Sequence, residues 1–222
     1  MTKDVSSDAV DTVLLDVDGT LIDSTYWHAY AWQRAFAGRD LTPPWWRIHR
    51  AVGMGGDLLV GELCGQQVED QLGDQLRDEW ADRYREVLDK VQPFPRVREL
   101  VAGLTDAGYT VALASSGARE FTDAALELIG MTRDDFAEVT SSDDAEQSKP
   151  ASDLLHAALD AAGGSRAILV GDSVWDVAAA NRLPGPCVGV QSGGIAAAEL
   201  LDAGASLVVD DVAALVERQW RP

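Results

Sequence analysis

The chain is predicted to be an α/β protein, a parallel sheet covered by helices on both faces and interrupted once by an all-helical insertion. Three observations predict this. The run Thr12-Val13-Leu14-Leu15 is β-branched and aliphatic, as suits a strand buried on both faces. From about residue 97 onward, short apolar runs alternate with segments of helical periodicity, the pattern of strands joined by crossover helices. Between these regions, from about residue 22 to residue 92, every periodic segment is helical.

The first strand runs from Thr12 into Asp16. After Ile22 the period becomes helical: Tyr26, Trp27, Tyr30, Ala31, Trp32, Ala35 and Phe36 form a dense apolar surface, with Ser24 as the expected cap. Pro43-Pro44 opens a further element carrying Trp45, Trp46 and Ile48, and residues 53–56, GMGG, read as a loop. A short helix over Leu58 to Leu63 is expected to end near Gly65. A long one from about Val68 to Val91 carries Leu72, Leu76, Trp80, Tyr84, Val87 and Leu88 at three-to-four spacing, until Pro93 and Pro95 stop it. Next come a helix over 97–107, a strand over 110–114, a helix over 118–129 and a short strand at Val139-Thr140. They are followed by a helix over 150–162, a strand over 167–170, a helix over 174–182, a strand over 187–190 and a helix over 195–201. A last strand over 207–209 and a helix over 212–218 close the chain. The helical segment thus leaves the sheet directly after the first strand. Ligands of open α/β sheets bind beyond the carboxyl ends of the strands, so such an insertion is expected to cover the site as a lid.

Composition excludes several functions. Thirty-seven acidic against 18 basic residues give a formal charge of −19, which repels nucleic acid and anionic membranes. An anionic substrate then needs locally arranged cations, and only three lysines are present, Lys3, Lys90 and Lys149. Cys64 and Cys187 have neither pairing nor metal-ligand spacing and read as thiols of a reducing compartment. The first ten residues lack the apolar stretch of a secretory leader, and no apolar run approaches membrane-spanning length. A cytoplasmic protein is expected, a monomer or weak homodimer whose partner is a small metabolite.

Four groups fall just past strand ends: Asp16 and Asp18, then Ser115-Ser116-Gly117, then Lys149-Pro150, then Asp172-Ser173 with Asp176. Singly, each has a structural explanation. Asp-Gly ends strands, serines cap helices, a lysine is usually solvated, and acids favour helix N-termini. Together they fit phosphoryl transfer. One carboxylate can attack phosphorus, and a second can protonate the leaving oxygen and later deprotonate water. Mg2+ prefers carboxylate oxygens, and Asp16 with Asp172 would supply the fixed charge. Hydroxyls, backbone N–H groups of Gly-Thr or Ser-Gly turns and one ammonium would hold the phosphoryl oxygens.

DVDGT at 16–20, LASSG at 113–117, SKP at 148–150 and GDSVWD at 171–176 resemble the four signature motifs of the haloacid dehalogenase-like (HAD) hydrolase superfamily, in order and over essentially the whole chain. The resemblance implies a Rossmann-like HAD core over 1–21 and 93–222, with a helical cap of the C1 type over 22–92. The short span between Lys149 and Asp172 leaves no room for a second cap. By the same resemblance Asp16 is the nucleophile and a metal ligand. Asp18 is the acid/base and lends the metal its backbone carbonyl. Ser115 and Lys149 hold the phosphoryl group, Asp172 binds Mg2+, and Asp176 is a ligand or supports one. Gly19, Thr20, Ser116 and Gly117 are the expected phosphate-binding turns. True dehalogenases of the superfamily lack an acid at the Asp18 position, because a departing halide needs no proton.

In the cap, His28 has two readings: a residue that positions the acid/base, as in related sugar-phosphate mutases, or a half-buried helix histidine. Arg47 and Arg50 either reach a substrate anion or are solvated charges. Trp27, Trp32, Trp45 and Trp46 either line a pocket or pack the core. Three functions follow. The first is a phosphatase of the phosphoglycolate-phosphatase-like group, working through an aspartyl-phosphate. The second is a β-phosphoglucomutase-like phosphotransferase, which needs a distal phosphate site in the cap and is disfavoured by the absence of Lys or Arg between Gly55 and Leu76. The third is a catalytically silent binding module.

Overall fold

Strand β1 (Thr12–Leu15) lies at the centre of a six-stranded, wholly parallel sheet. The other strands are β2 (Thr110–Ala114), β3 (Glu138–Thr140), β4 (Ala167–Gly171), β5 (Cys187–Val190) and β6 (Leu207–Val209), in the order β3-β2-β1-β4-β5-β6. The structure, a computed structural model, describes residues 9–142, 149, 151–183 and 185–222. Order reverses at β1, which pairs with β2 on one side and β4 on the other. Every residue of β1 is buried, as its unbroken apolar run requires.

Alternate residues of the strands feed two cores. Val13, Leu15, Val111, Leu113, Ile168 and Val170 face α5 (Val97–Asp106), α6 (Arg119–Ile129) and α10 (Val212–Glu217). Leu14, Ala112, Ala114 and Leu169 face α7 (Asp153–Ala161), α8 (Val174–Ala180) and α9 (Ala197–Ala203). Each buried Leu or Val contributes roughly 1.5–3 kcal/mol, so the two faces together fix the strand register.

Between β1 and β2 the chain forms α1 (Thr25–Ala37), α2 (Trp45–Ala51), α3 (Gly56–Cys64) and α4 (Gln66–Arg85) around a third core that includes Trp32, Phe36, Ile48, Leu59, Val60 and Leu76. The two chain crossings that connect it to the sheet run side by side. Asp23 N–H donates to Gln92 O at 2.8 Å, and Phe94 N–H donates to Leu21 O at 2.9 Å. The helical unit rests on α6 through Tyr84 and Trp80, both edge-to-face with Phe121.

Element order follows the sequence reading, with shifts at the ends. The long helix ends at Arg85, and a separate 3₁₀ turn covers Leu88–Lys90. The helix expected over 150–162 begins at Asp153; Pro150 lies outside the described residues. Ser24 makes no cap bond, because its hydroxyl instead donates to Asp18. Trp45 and Trp46 are exposed on α2 rather than packed in a core. Among the described residues, no helix is long and apolar enough to cross a membrane.

Candidate active site

The parallel sheet delivers Asp16, Ser115 and Asp172 to one edge, because each directly follows a strand whose register with β1 is fixed. Asp16 is 5% exposed and Asp172 4%. Lys149, 1% exposed, completes the cluster: its ammonium donates to Asp16 Oδ1 and pairs with Asp176 Oδ1 at 2.6 Å. Thr20 donates to the other Asp16 oxygen, Oδ2, at 3.2 Å. The nucleophile candidate is therefore held from both sides. The Thr20 hydroxyl is fully buried on Asp16, so it orients the carboxylate.

Burial pushes the Asp16 carboxyl up to about 7; Lys149 opposes the rise, while Asp176 and Asp18 add to it. Burial, followed by the charges of Asp176 and Asp16, holds Asp172 well above the ordinary carboxylate range. Burial alone would lower Lys149, but the attraction of Asp16 and Asp176 more than reverses it, so the ammonium stays protonated. Asp176 opens α8 in a capping box: it accepts from Ser173 N–H at 3.1 Å and from the Ser173 hydroxyl at 2.5 Å.

Oxygens of Asp16, Asp172 and Asp176 all lie within 4.8 Å of one another. One ammonium against three buried carboxylates leaves negative charge uncompensated, which is costly in a low-dielectric site. This all-oxygen donor set fits a hard divalent cation such as Mg2+. Two glycines keep the space open. Gly19 has φ +75°, and a Cβ there would lie 2.3 Å from both Asp172 Oδ2 and Thr25 Oγ1. A Cβ on Gly193 would overlap Asp172 Oδ2. The Asp18 side chain stays apart from the three-carboxylate cluster, which leaves its carbonyl as the group it could lend a metal.

Asp18 instead faces the helical unit. Its Oδ1 accepts from Ser24 Oγ at 2.6 Å and meets His28 Nε2 at 2.8 Å. Burial raises its carboxyl, but the His28 ring, then the His28 and Ser24 hydrogen bonds, outweigh this and bring it below its ordinary value. His28 is held in turn by stacking on Tyr84, with centroids 3.9 Å apart. The His28 ring is buried, with Nε2 against the acid/base candidate.

A cavity of about 380 Å³ opens above these groups, lined by Asp16, Asp18, Ser116 and Gly117 below and by His28, Trp32, Met54 and Trp80 above. Ser115 is buried beneath the turn, where its hydroxyl accepts from Gly117 N–H at 3.1 Å. Ser148 and Pro150 of the third motif lie outside the described residues.

Arg50 does not reach this cavity. Its guanidinium pairs with Glu199 on α9, and its carbonyl accepts from Trp175 Nε1 at 2.9 Å. Helix α2 turns it toward the sheet-side helices, away from the cavity lining. Arg47 likewise turns away, donating to Glu62 O. Among the described residues, the Lys or Arg that lines the cavity is Arg77 on α4, one residue beyond the window in which the sequence shows no base. Its helical spacing from Trp80, which shares the wall, was the signal available. Of the four tryptophans weighed for the pocket, only Trp32 lines it.

A protein-family model for haloacid dehalogenase-like hydrolases matches residues 10–183. The chain belongs to the HAD-like hydrolase family. It is similar to a phosphoglycolate phosphatase of Agrobacterium fabrum, 28% identical over 91% of this chain and 89% of that one. It is also similar to a phosphoglycolate phosphatase of Rhodospirillum rubrum, 30% identical over 91% of this chain and 88% of that protein. Among solved structures, a hydrolase from Pseudomonas syringae superposes with a TM-score of 0.88 at 30% identity, covering 93% of this chain and 96% of the other. This HAD-like chain is accordingly a hydrolase, and the reading as a silent binding module falls away.

Proposed function

We propose that this HAD-like hydrolase is a Mg2+-dependent phosphatase that cleaves a small phosphomonoester through a phosphoryl group carried on Asp16. The observation that supports this best is the setting of Asp16: buried at the strand end, fixed by Lys149 and Thr20, and open to a cavity that it shares with Asp18. Similarity to phosphoglycolate phosphatases supports the same reaction class.

In the first step an Asp16 oxygen bonds to phosphorus as the phosphorus–oxygen bond to the organic group breaks, and the departing oxygen takes a proton through Asp18, whose carboxyl, held low by His28 and Ser24, acquires that proton from the monoprotonated phosphate ester as it docks. In the second step Asp18 takes a proton from water, whose oxygen bonds to phosphorus. The bond to Asp16 then breaks, releasing inorganic phosphate. Lys149, the Ser115 hydroxyl and the Ser116 N–H hold the phosphoryl oxygens. Asp16, Asp172, Asp176 and the Asp18 carbonyl would hold Mg2+, which supplies charge neutralisation for the phosphoryl group. We take residues 22–92 as a cap over a core formed by 1–21 and 93–222, on the strength of the paired crossings at 21–23 and 92–94.

The mutase reading requires a free cation in the cap to bind a second phosphate. Among the described residues, Arg77 is the one Lys or Arg lining the cavity, and it is already engaged by Glu69, Asp74 and the Gly56 carbonyl. The test is phosphate release with and without Mg2+, wild type against Asp16→Asn. Stoichiometric release that needs the metal but no bisphosphate activator, and that vanishes in the variant, is expected. Wild-type rates in Asp16→Asn would overturn the mechanism.

A further inference from the structure

The upper half of the cavity differs in character from its floor. Trp32 and Trp80 stack at 5.3 Å with 15° between their planes, and His28 stacks on Trp80 at 5.6 Å. Val52, Met54 and Leu59 continue the same wall. Its charged members are Asp57, exposed on the first turn of α3, and Arg77. Arg77 is already engaged: it donates to Glu69 Oε1 and Asp74 Oδ1, both at 2.8 Å, and to Gly56 O at 3.1 Å. Around the organic half of a bound ester, the charge is therefore net negative.

From this wall we propose, resting on the phosphatase reading, that the group esterified to the phosphate is an uncharged ring. Esters bearing a second anion, a carboxylate or another phosphate, are poor substrates. Aromatic walls favour flat apolar faces. A second anion would lie near Asp57 and would meet, among the described residues, only an Arg77 already paired with Glu69 and Asp74, and like-charge juxtaposition costs several kcal/mol. A volume near 380 Å³ also has room for a ring beyond the phosphoryl group.

The test compares benzyl phosphate with 4-carboxybenzyl phosphate, esters with the same scaffold that differ by one anion remote from the scissile bond, with 2-phosphoglycolate as third probe. Phosphate release is followed in Mg2+ buffer. Benzyl phosphate is expected to exceed the carboxylated ester in kcat/KM by at least about tenfold. Asp57→Lys, a change at an exposed side chain, should narrow that ratio. Trp32→Ala should lower the ratio of benzyl phosphate to 2-phosphoglycolate about three- to tenfold, a comparison in which any general loss of folded enzyme cancels. Equal or better turnover of the carboxylated ester, preference for 2-phosphoglycolate, or ratios unmoved by both substitutions would overturn the proposal while leaving the phosphatase reading intact. Release from none of the three esters would overturn that reading itself, and this inference with it.

Discussion

His28 Nε2 lies 2.8 Å from Asp18 Oδ1, and the same oxygen accepts from Ser24 at 2.6 Å. Two residues from the start of the helical unit thus aim the carboxyl that, in the proposed mechanism, moves the proton. His28→Ala is expected to lower kcat about 10- to 100-fold with little change in KM, a share of the 10²–10⁴ that general acid catalysis supplies. The decisive readout is leaving-group dependence. An alkyl phosphate needs the proton and should suffer most, whereas p-nitrophenyl phosphate, whose phenolate leaves unaided, should suffer least. Equal losses on both would remove His28 from any role in proton transfer.

Gly19 cannot be replaced without moving the Asp172 carboxylate. A methyl group at this position would meet Asp172 Oδ2 at 2.3 Å, on a backbone with φ +75°. Gly19→Ala is expected to cost at least about 1 kcal/mol of stability from the backbone alone. Phosphate release should fall more than about 100-fold, since misplacement near 1 Å is enough for that. Thermal melts and a release assay on the same preparation separate the two effects.

Arg50 offers the opposite expectation. Its pair with Glu199 is solvent-exposed, and such pairs contribute roughly 0–1 kcal/mol. Arg50→Ala should therefore leave kcat/KM within about threefold of wild type for every ester tested. A selective loss on anionic esters would show that the side chain swings into the cavity during turnover.

Asp11 gives a pH signature remote from the site. Its carboxylate accepts from Ser165 N–H at 3.0 Å, from Arg166 N–H at 3.2 Å and from the Thr12 hydroxyl at 2.8 Å, tying the start of β1 to the turn before β4. Burial, the largest single influence, raises this carboxyl, but the Ser165 and Thr12 hydrogen bonds and the backbone N–H groups together outweigh it, so the net shift is downward from 3.8. A depressed folded-state value means the charged form stabilises the fold. That contribution is complete above the unfolded value near 3.9 and is lost as pH falls through the lower folded one. Asp11→Asn should melt below wild type at pH 7, and the gap should close progressively below about pH 4. A gap independent of pH would refute the charge-based account.

Much of the molecule was legible because strand and cap signals are local. The run Thr12–Leu15 identified the central strand, and Gly65, with φ +89°, ended α3 where the sequence placed the stop. Local rules failed where a side chain had a distant partner. Ser24 reads as a helix cap by position, but Asp18, six residues earlier in the chain, takes its hydroxyl. Arg50 and Arg77 look alike in sequence. The orientation of α2 and α4 sends one guanidinium to Glu199 and the other to the cavity wall.

The sequence by itself determined the order of strands and helices, the four groups at strand ends and the chemistry those groups can perform, because apolar period and residue type act over a few neighbours. Only the tertiary structure decided which cation lines the cavity, what holds Asp18, and that an aromatic wall closes the far side of the cavity. Those outcomes depend on how helices pack across the sheet edge, and packing is set by contacts between residues far apart in the chain.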